Sequence, residues 1–212
     1  MCHDNTISAL VLAAGLSSRM GNFKPLLPLR GKTLIENAID SVLQGGAGTA
    51  VVVTGFRADE VEAVLKRYGS RVCCVRNPDY AGSDMLCSIR IGVNALPPCD
   101  AFFLLPGDMP VVRQSTFERL RAARRPDRVS VIFPTLDGYR KHPPLIDAGM
   151  IPEIGSFHGE GGLRALWKKH EAKIIAVPVD DQGVWVDLDT PDVYLRCREI
   201  YDLCNTETDD IS

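Results

Sequence analysis

The sequence predicts an α/β fold of three layers, in which a mostly parallel sheet is covered by helices on both faces. The main observation is that apolar segments of strand length alternate with segments of helical period, four times within roughly the first 125 residues. Right-handed crossovers between parallel strands leave few other arrangements for such a pattern. The composition, 45% hydrophobic and 24% charged over 212 residues, is typical of one globular domain with a substantial core.

The first strand is predicted over residues 8–13, a continuous apolar run suited to a strand buried on both faces. A loop rich in small residues follows it. Thr33 and Glu36 have the spacing of a capping box and predict the start of a helix, which Gly45-Gly46 ends.

The alternation then continues along the chain. Strands are predicted over residues 49–54, 72–75 and 101–105, and helices over residues 58–68 and 85–96. Ser115 and Glu118 again have capping-box spacing and predict the start of a fourth helix.

The second half of the chain is less regular. Strands are predicted over residues 129–133, 174–177 and 184–188, and a last helix from Thr190-Pro191. Asp137-Gly138 predicts a hairpin turn, and frequent glycines between residues 149 and 162 indicate loops around short helices. No repeat or linker divides the chain, so we expect a single domain over residues 1–212 with an acidic tail at 205–212.

Composition argues against several partners and locations. The net charge of −3 gives no overall positive field, so we expect neither a nucleic-acid nor a membrane partner. The longest apolar run, near residues 7–14, is far shorter than the roughly 20 residues that span a bilayer. Residues 1–4 lack the basic start of a secretory signal, and the seven cysteines show no CxxC spacing, so a cytoplasmic protein without a disulfide framework or zinc site is expected.

The loop after the first strand carries candidate binding residues. In an open parallel sheet, ligands bind beyond the carboxyl ends of the strands. Small residues in this loop allow backbone N–H groups to approach a ligand, and Arg19 and Lys24 follow as two cations suited to phosphate oxygens. A glycine turn with solvated cations is the alternative interpretation.

Two common phosphate-binding motifs are absent from the chain. No G-x-G-x-x-G occurs, and Gly31-Lys32-Thr33 follows Leu26 at the position where a P-loop requires its first glycine. The loop is therefore neither a dinucleotide-binding fingerprint nor a P-loop.

Carboxylates at strand ends are candidate metal ligands. Asp108 follows the fourth strand, and Asp187 and Asp189 lie two residues apart near the end of a late predicted strand, so they would face the same way. Few carboxylates combined with phosphate oxygens suit Mg²⁺ better than Ca²⁺. As alternatives, Asp108 is a turn residue and Asp189 a helix-entry residue.

Motifs for other chemistries are not found. The four histidines show no HxH or HExxH spacing, and neither a GxSxG elbow nor a Cys-His signature occurs. Glycines, two cations and carboxylates remain, which is the equipment for phosphoryl or nucleotidyl transfer by positioning and charge neutralisation.

At these residues the chain resembles a known family. Residues 12–27, Leu-Ala-Ala-Gly-Leu-Ser-Ser-Arg-Met-Gly-Asn-Phe-Lys-Pro-Leu-Leu, are similar to the signature of nucleotidyltransferases related to molybdenum cofactor cytidylyltransferase and MobA. The resemblance continues through residues 82–92, 106–110, 142–143, 159–164 and 186–192, and so covers nearly the whole chain.

The resemblance implies a GT-A-like, Rossmann-like nucleotide-binding domain, with the nucleotide half at about residues 1–125 and the acceptor half at about 126–204. The nucleotide-binding positions it implies are Leu12, Ala13, Ala14, Gly15, Ser17, Arg19, Lys24 and Ser88. It implies Arg19, Lys24 and Asp108 as catalytic residues, Asp108 and Asp187 as Mg²⁺ ligands, and His142, Pro143 and Arg164 as acceptor-binding residues.

The activity implied is transfer of CMP from CTP to the terminal phosphate of molybdenum-loaded molybdopterin, with release of pyrophosphate. Ala13-Ala14-Gly15 favours CTP, because relatives with Gly-Gly in this loop tend to use guanosine nucleotides. Two departures concern the acceptor side: Lys141 replaces a glycine of the family, and its G-D-x-G-x-R stretch reads Gly-Glu-Gly-Gly-Leu-Arg at residues 159–164.

Other functions stay open at this point. The nucleotide could be GTP, or the acceptor a sugar phosphate or methylerythritol phosphate. A different class of function is a non-catalytic accessory protein that binds the cofactor and delivers it to a client molybdenum hydroxylase. A dinucleotide-dependent oxidoreductase is the most distant alternative, because the glycine fingerprint is absent.

Overall fold

The computed structural model describes residues 6–17, 22–186, 188 and 190–206. The strands are β1 (Ile7–Ala13), β2 (Pro28–Leu29), β3 (Lys32–Thr33), β4 (Thr49–Thr54), β5 (Val72–Arg76), β6 (Ala101–Pro106), β7 (Val131–Leu136), β8 (Tyr139–Arg140), β9 (Leu145–Asp147) and β10 (Ile174–Pro178). The α-helices are α1 (Leu34–Gln44), α2 (Ala58–Leu65), α3 (Met85–Ala95), α4 (Gln114–Ala123), α5 (Ile151–Ser156), α6 (Gly162–Lys169) and α7 (Pro191–Thr206).

One sheet carries the strands in the order β10-β7-β9-β6-β1-β4-β5, with β8 also paired to β7. The pairs of β1 with β4 and β6, of β4 with β5, and of β7 with β10 are parallel. β9 runs antiparallel to both β6 and β7. The predicted α/β class with a mostly parallel sheet is confirmed, and the sheet is mixed at β9.

The antiparallel insertion follows from the hairpin turn that the sequence predicts. Asp137 and Gly138 both have positive φ angles, 52° and 79°, as a two-residue type I′ turn requires. The chain therefore returns beside β7, first as β8 and then as β9. Between these two strands Pro143 and Pro144 have no N–H to donate, and the strand pairing is interrupted there.

Helices cover both faces of the sheet. Alternate residues of β1 point to opposite sides: Val11 packs in the core with α1, α2 and α4, and Leu10 packs in the core with α3, α5 and α6. A smaller apolar cluster joins α7 to β2 through Tyr194 and Leu29. The three-layer arrangement is thus present. Among the described helices, none combines the length and the hydropathy that crossing a membrane requires.

The start of α1 agrees with the sequence prediction, but the start of α4 does not. Thr33 and Glu36 form both hydrogen bonds of the capping box. α4 begins at Gln114, so Ser115 lies inside the helix rather than capping it. Within the described residues, no side chain caps α4. The carboxylate of Asp181 anchors its start instead, accepting from the backbone N–H of Arg113 at 2.9 Å and from the Thr116 hydroxyl at 2.7 Å.

Two further boundaries differ from prediction. α2 ends at Leu65. A 3₁₀ segment, Lys66–Arg71, follows it and is kinked at Gly69. The strand predicted over residues 184–188 is wrong for its described residues. The segment Gln182–Val184 is a 3₁₀ turn, because the Asp181 side chain accepts from the Gly183 N–H at 2.8 Å and bends the chain there.

Gly92 allows α3 to lie directly on the sheet. A Cβ at this position would stand 2.2 Å from Leu10 Cδ1 and 2.9 Å from Val53 Cγ2. We expect Gly92→Ala to lower the free energy of unfolding by about 1–3 kcal/mol through overpacking, measured by urea denaturation. Gly155→Ala is the matched control, because its Cβ would meet only Asn94 Oδ1 at 3.5 Å. An equal or smaller loss in Gly92→Ala would contradict this account of the packing.

Candidate functional site

A cavity of about 250 Å³ lies at the carboxyl ends of β1 and β6, the edge where the sequence analysis expects a ligand. Its lining is formed by Leu12, Ala13, Ala14, Gly15, Ser17, Lys24, Pro25, Tyr80, Ser83, Asp84, Met85, Ser88, Pro106, Gly107 and Asp108. All the predicted nucleotide-binding positions that the structure describes are therefore brought together around it. Arg19 lies outside the described residues.

The charged centre of this cavity is an ion pair between Lys24 and Asp108. Lys24 Nζ lies 3.1 Å from Asp108 Oδ2, and the Lys24 residue is only 7% exposed. The backbone N–H of Lys24 donates to Ser17 Oγ at 3.2 Å, which holds these two residues of the lining together. Both charges therefore lie at one wall of the cavity. The Lys24 ammonium could bind anionic oxygens there, and the Asp108 carboxylate could bind a cation.

Two glycines of the cavity, Gly107 and Gly15, differ in what a side chain at their position would meet. A Cβ at Gly107 would lie 2.9 Å from the Leu12 carbonyl oxygen, so close packing of the protein itself excludes a side chain there. A Cβ at Gly15 would meet no atom of the described residues within 4 Å. The space in front of Gly15 is therefore open to a ligand, which can approach the backbone closely.

Polar side chains form the opposite wall. Asn77, at the end of β5, donates from Nδ2 to the hydroxyls of Ser83 and Ser88 at 3.0 Å each. Asp84 caps α3 by accepting from the Cys87 N–H at 3.0 Å. The wall is thus held by hydrogen bonds inside the segment that joins β5 to α3.

A second cavity of about 880 Å³ adjoins the first, and both are lined by Leu12, Asp84, Met85 and Pro106. It contains four cationic side chains, which are Arg140, Lys141, Arg164 and Lys168. Phe133 and Trp167, whose rings are 6.2 Å apart, add aromatic surface. The second cavity therefore suits a flat molecule that carries negative charge.

Two of the three predicted acceptor-binding residues, His142 and Arg164, line this second cavity, and Pro143 does not. Pro143 is buried, and the neighbouring Pro144 takes the place in the lining. Burial lowers the pKa of His142, against the opposing effects of the Leu104 carbonyl and the Asp108 carboxylate. The ring is therefore neutral at pH 7, and the positive charge of the cavity comes from lysine and arginine.

Sequence reasoning missed several residues of the two cavities. Arg140 and Lys168 add cations, and Asn77 organises the serine wall. Lys141, noted as a departure from the family pattern, has its Nζ 3.1 Å from the centre of the Trp185 ring. A loop and a helix turn separate Asn77 from Ser88, so no short sequence pattern predicts the hydrogen bond between them.

The donor set for a metal is sparse. Within the described residues, no group of three or more His, Cys, Asp or Glu side chains could hold a metal ion. Asp108 offers one hard carboxylate at the first cavity. Asp187 and Asp189 lie outside the described residues. One carboxylate beside a phosphate-sized cavity fits Mg²⁺, which commonly takes few protein ligands together with phosphate oxygens and water.

The profile of the MobA-like NTP transferase domain matches residues 9–174. The chain belongs to this family. Molybdenum cofactor cytidylyltransferase from Escherichia coli K12 is 29% identical over 93% of this chain and 98% of its own.

Two further similar proteins also align over nearly their whole length. Nicotine blue oxidoreductase from Paenarthrobacter nicotinovorans is 32% identical over 90% of this chain and 95% of its own. The solved structure of a nucleotidyl transferase from Methanothermobacter thermautotrophicus superposes with a TM-score of 0.79 at 30% identity, covering 93% of this chain and 98% of that one.

Family membership shows the class of chemistry. The protein is a nucleotidyltransferase of the MobA-like family, and its structural neighbours are nucleotidyltransferases of the GT-A-like fold. The resemblance stated from residues 12–27 is confirmed.

Proposed function

We propose that this MobA-like protein transfers CMP from CTP to the terminal phosphate of molybdenum-loaded molybdopterin and releases pyrophosphate. The observation that carries the proposal is the Lys24–Asp108 pair at the wall of one cavity, which adjoins a second, cationic cavity. A nucleoside triphosphate in the first and an anionic acceptor in the second would meet at the residues that both cavities share.

The chain's own residues would act by binding and orienting. Lys24 would hold phosphate oxygens and neutralise the charge that develops on the pyrophosphate leaving group. No general base is needed, because the acceptor is a phosphate monoester whose second pKa is about 6. Its ionised oxygen attacks the α-phosphorus in line, the bond to the pyrophosphate oxygen breaks, and no proton has to move.

Asp108 is the residue we propose for holding Mg²⁺, with Asp187 as the second ligand predicted from sequence. Bound there, the ion would supply charge neutralisation on the triphosphate. Arg19 belongs to the same proposal as a second cation for the phosphates.

The cationic cavity supports the choice of acceptor. Glu171 pairs with Arg140 at its edge and Lys141 lies over the Trp185 ring, so Arg164 and Lys168 are the cations proposed to face an anionic ligand. Its aromatic wall suits a fused-ring molecule such as a pterin. We include a client molybdenum hydroxylase in the proposal as the protein that receives the product.

The testing experiment measures pyrophosphate release with Mg²⁺ and each of CTP, GTP, ATP and UTP, with and without molybdenum-loaded molybdopterin. Release that requires both CTP and the pterin supports the proposal. Release with GTP would make the protein a guanylyltransferase, and release with a sugar phosphate or methylerythritol phosphate would change the acceptor. Pterin binding without turnover would favour the delivery protein.

The 32% identity to nicotine blue oxidoreductase makes an oxidoreductase the second candidate. It is tested by following the oxidation of NADH and NADPH by absorbance, with a quinone-like dye as acceptor. Nicotinamide oxidation together with no pyrophosphate release from any nucleotide would replace the proposed transferase.

Arg164→Ala is expected to raise the KM for the pterin by about 10-fold to 100-fold, because one charge-assisted hydrogen bond contributes about 1.5–3 kcal/mol. The KM for CTP should stay the same, since Arg164 lines the second cavity and not the first. Arg125→Ala, an exposed arginine in the turn after α4, is the control. Equal changes in both KM values would contradict separate subsites.

A further inference from the structure

Arg140 and Glu171 form an ion pair, and both residues line the second cavity. Arg140 lies in β8, and Glu171 follows the end of α6. Arg140 Nη1 donates to Glu171 Oε2 at 3.2 Å, and Arg140 Nη2 donates to Glu171 Oε1. The two terminal nitrogens of the guanidinium are therefore both bound to the two oxygens of one carboxylate.

The same two nitrogens are suited to a phosphate group, because the planar guanidinium fork matches phosphate oxygens as well as carboxylate oxygens. Arg140 Cζ lies 5.8 Å from the centre of the Phe133 ring, which belongs to the aromatic wall of the cavity. The guanidinium is thus close to the surface on which a flat ligand would stack. Glu171 occupies the donors that the phosphate of such a ligand would use.

Glu171 differs in this respect from the other acidic residues of the protein. Within the described part of the chain, it is the only acidic side chain that forms an ion pair with a cation of the second cavity. The hydrogen bond from Arg140 lowers the pKa of the Glu171 carboxyl, so the carboxylate is charged at neutral pH. The cavity therefore carries its own anion, bound to one of its four cations.

We propose that Glu171 is an internal competitor for Arg140, which holds the guanidinium until a phosphate monoester in the second cavity displaces it. Above a pH of about 6 such a ligand carries a second negative charge, whereas the carboxylate carries one. The Arg140 and Glu171 side chains are 39% and 61% exposed, so the ion pair is weak and the released carboxylate is readily hydrated.

This exchange makes Glu171 a residue that determines ligand specificity. A ligand without a phosphate does not displace Glu171 and gains nothing from Arg140. The inference rests on the proposed function and deepens it, because it adds Arg140 to Arg164 and Lys168 as a cation for the phosphate of the acceptor.

A purely structural role of the ion pair predicts an effect of the opposite sign. If the pair served to hold β8 against the end of α6, its removal would loosen the cavity and weaken ligand binding. If Glu171 competes with the ligand, removal of its charge strengthens ligand binding. Glu171→Gln separates the two explanations, because glutamine keeps the size of the side chain and lacks the charge.

The experiment measures the dissociation constant of flavin mononucleotide, a fused-ring phosphate monoester, by fluorescence titration of the full-length protein at about pH 8, where the phosphate is a dianion. We expect Glu171→Gln to lower this Kd by about 3-fold to 5-fold, the size of effect that an exposed ion pair produces. Riboflavin, which has the same ring system without the phosphate, should bind equally to both proteins. An unchanged or higher Kd for flavin mononucleotide in Glu171→Gln, or no binding of it by either protein, would overturn the proposal.

The Arg140→Ala background shows whether Glu171 acts through Arg140. There the further change Glu171→Gln should leave the Kd for flavin mononucleotide the same, because the guanidinium for which the two anions compete is gone. A gain as large as that in the wild-type background would mean that the charge of Glu171 acts from a distance, and would overturn the proposal.

Glu153→Gln is the matched control, because it removes the same charge from a carboxylate that pairs with His170 and Lys173, neither of which lines the cavity. It should leave the Kd unchanged, and a gain equal to that of Glu171→Gln would contradict the inference. If no nucleotidyl transfer occurs while these differences in Kd are found, the proposed function alone is refuted. If transfer occurs without these differences, this inference alone is refuted.

Discussion

Replacing Asp108 with alanine is expected to lower the turnover of nucleotidyl transfer by about two to three decades while the protein still folds. This is the usual size of the loss when one charge contact that stabilises the transition state is removed. Asp108 is a quarter exposed at the wall of the first cavity, so its removal leaves no large void. The measurement is kcat for pyrophosphate release at saturating CTP and pterin, with circular dichroism to verify folding.

Lys24→Ala should lower turnover by a similar factor, and the Asp108→Ala/Lys24→Ala double variant should lose much less than the product of the two single losses. The reason is that the two side chains are in contact at 3.1 Å and act as a unit. Asp127→Ala and Lys66→Ala remove the same charges at exposed positions and serve as controls. Unchanged turnover in both single variants would refute the assignment of catalytic residues.

The elements predicted well from the sequence are those whose signals are local. β1 and α1 are examples, since a continuous apolar run and the Thr33–Glu36 capping box each lie within a few residues. The Asp137-Gly138 turn is also predicted from sequence, because these two residue types readily adopt the positive φ angles that the turn requires. The position that the returning chain takes in the sheet is not predicted. That β9 lies between β6 and β7 depends on pairings across about 40 residues of chain, which no short pattern encodes.

The residues of the candidate site also fall into two groups, those that a local sequence pattern predicts and those that only the fold brings together. Ala13, Gly15 and Lys24 lie within 12 positions of one another in the sequence, so a single signature covers all three residues of the cavity. The second cavity is assembled from β6, the β7–β8 hairpin, α3 and α6, and its cations Arg140 and Lys168 look like ordinary surface residues in the sequence. Asn77 was missed because its hydrogen bonds to two serines join residues that only the folded geometry brings together.

Asp181 is the clearest case of a long-range contact that no local sequence pattern predicts. It is 1% exposed, and its carboxylate joins the start of α4 to the 3₁₀ turn over Gln182–Val184. Gly183 makes that junction tight, since a Cβ there would lie 2.2 Å from the Val111 carbonyl oxygen. The segment that follows Asp108 is thereby fixed to the segment that leads to Trp185.

Asp181→Ala is therefore expected to lower the free energy of unfolding by about 3–4 kcal/mol, because three donors lose a charged acceptor and each such hydrogen bond contributes about 1.5–3 kcal/mol before relaxation. The donors are the N–H groups of Arg113 and Gly183 and the Thr116 hydroxyl. Asp181→Asn keeps one acceptor oxygen and should lose about half as much. Asp180→Ala, which removes the same charge from the exposed neighbouring side chain, should change stability by less than about 0.5 kcal/mol in the same urea titration. Equal losses at residues 180 and 181 would mean that net charge, rather than the buried junction, determines the effect.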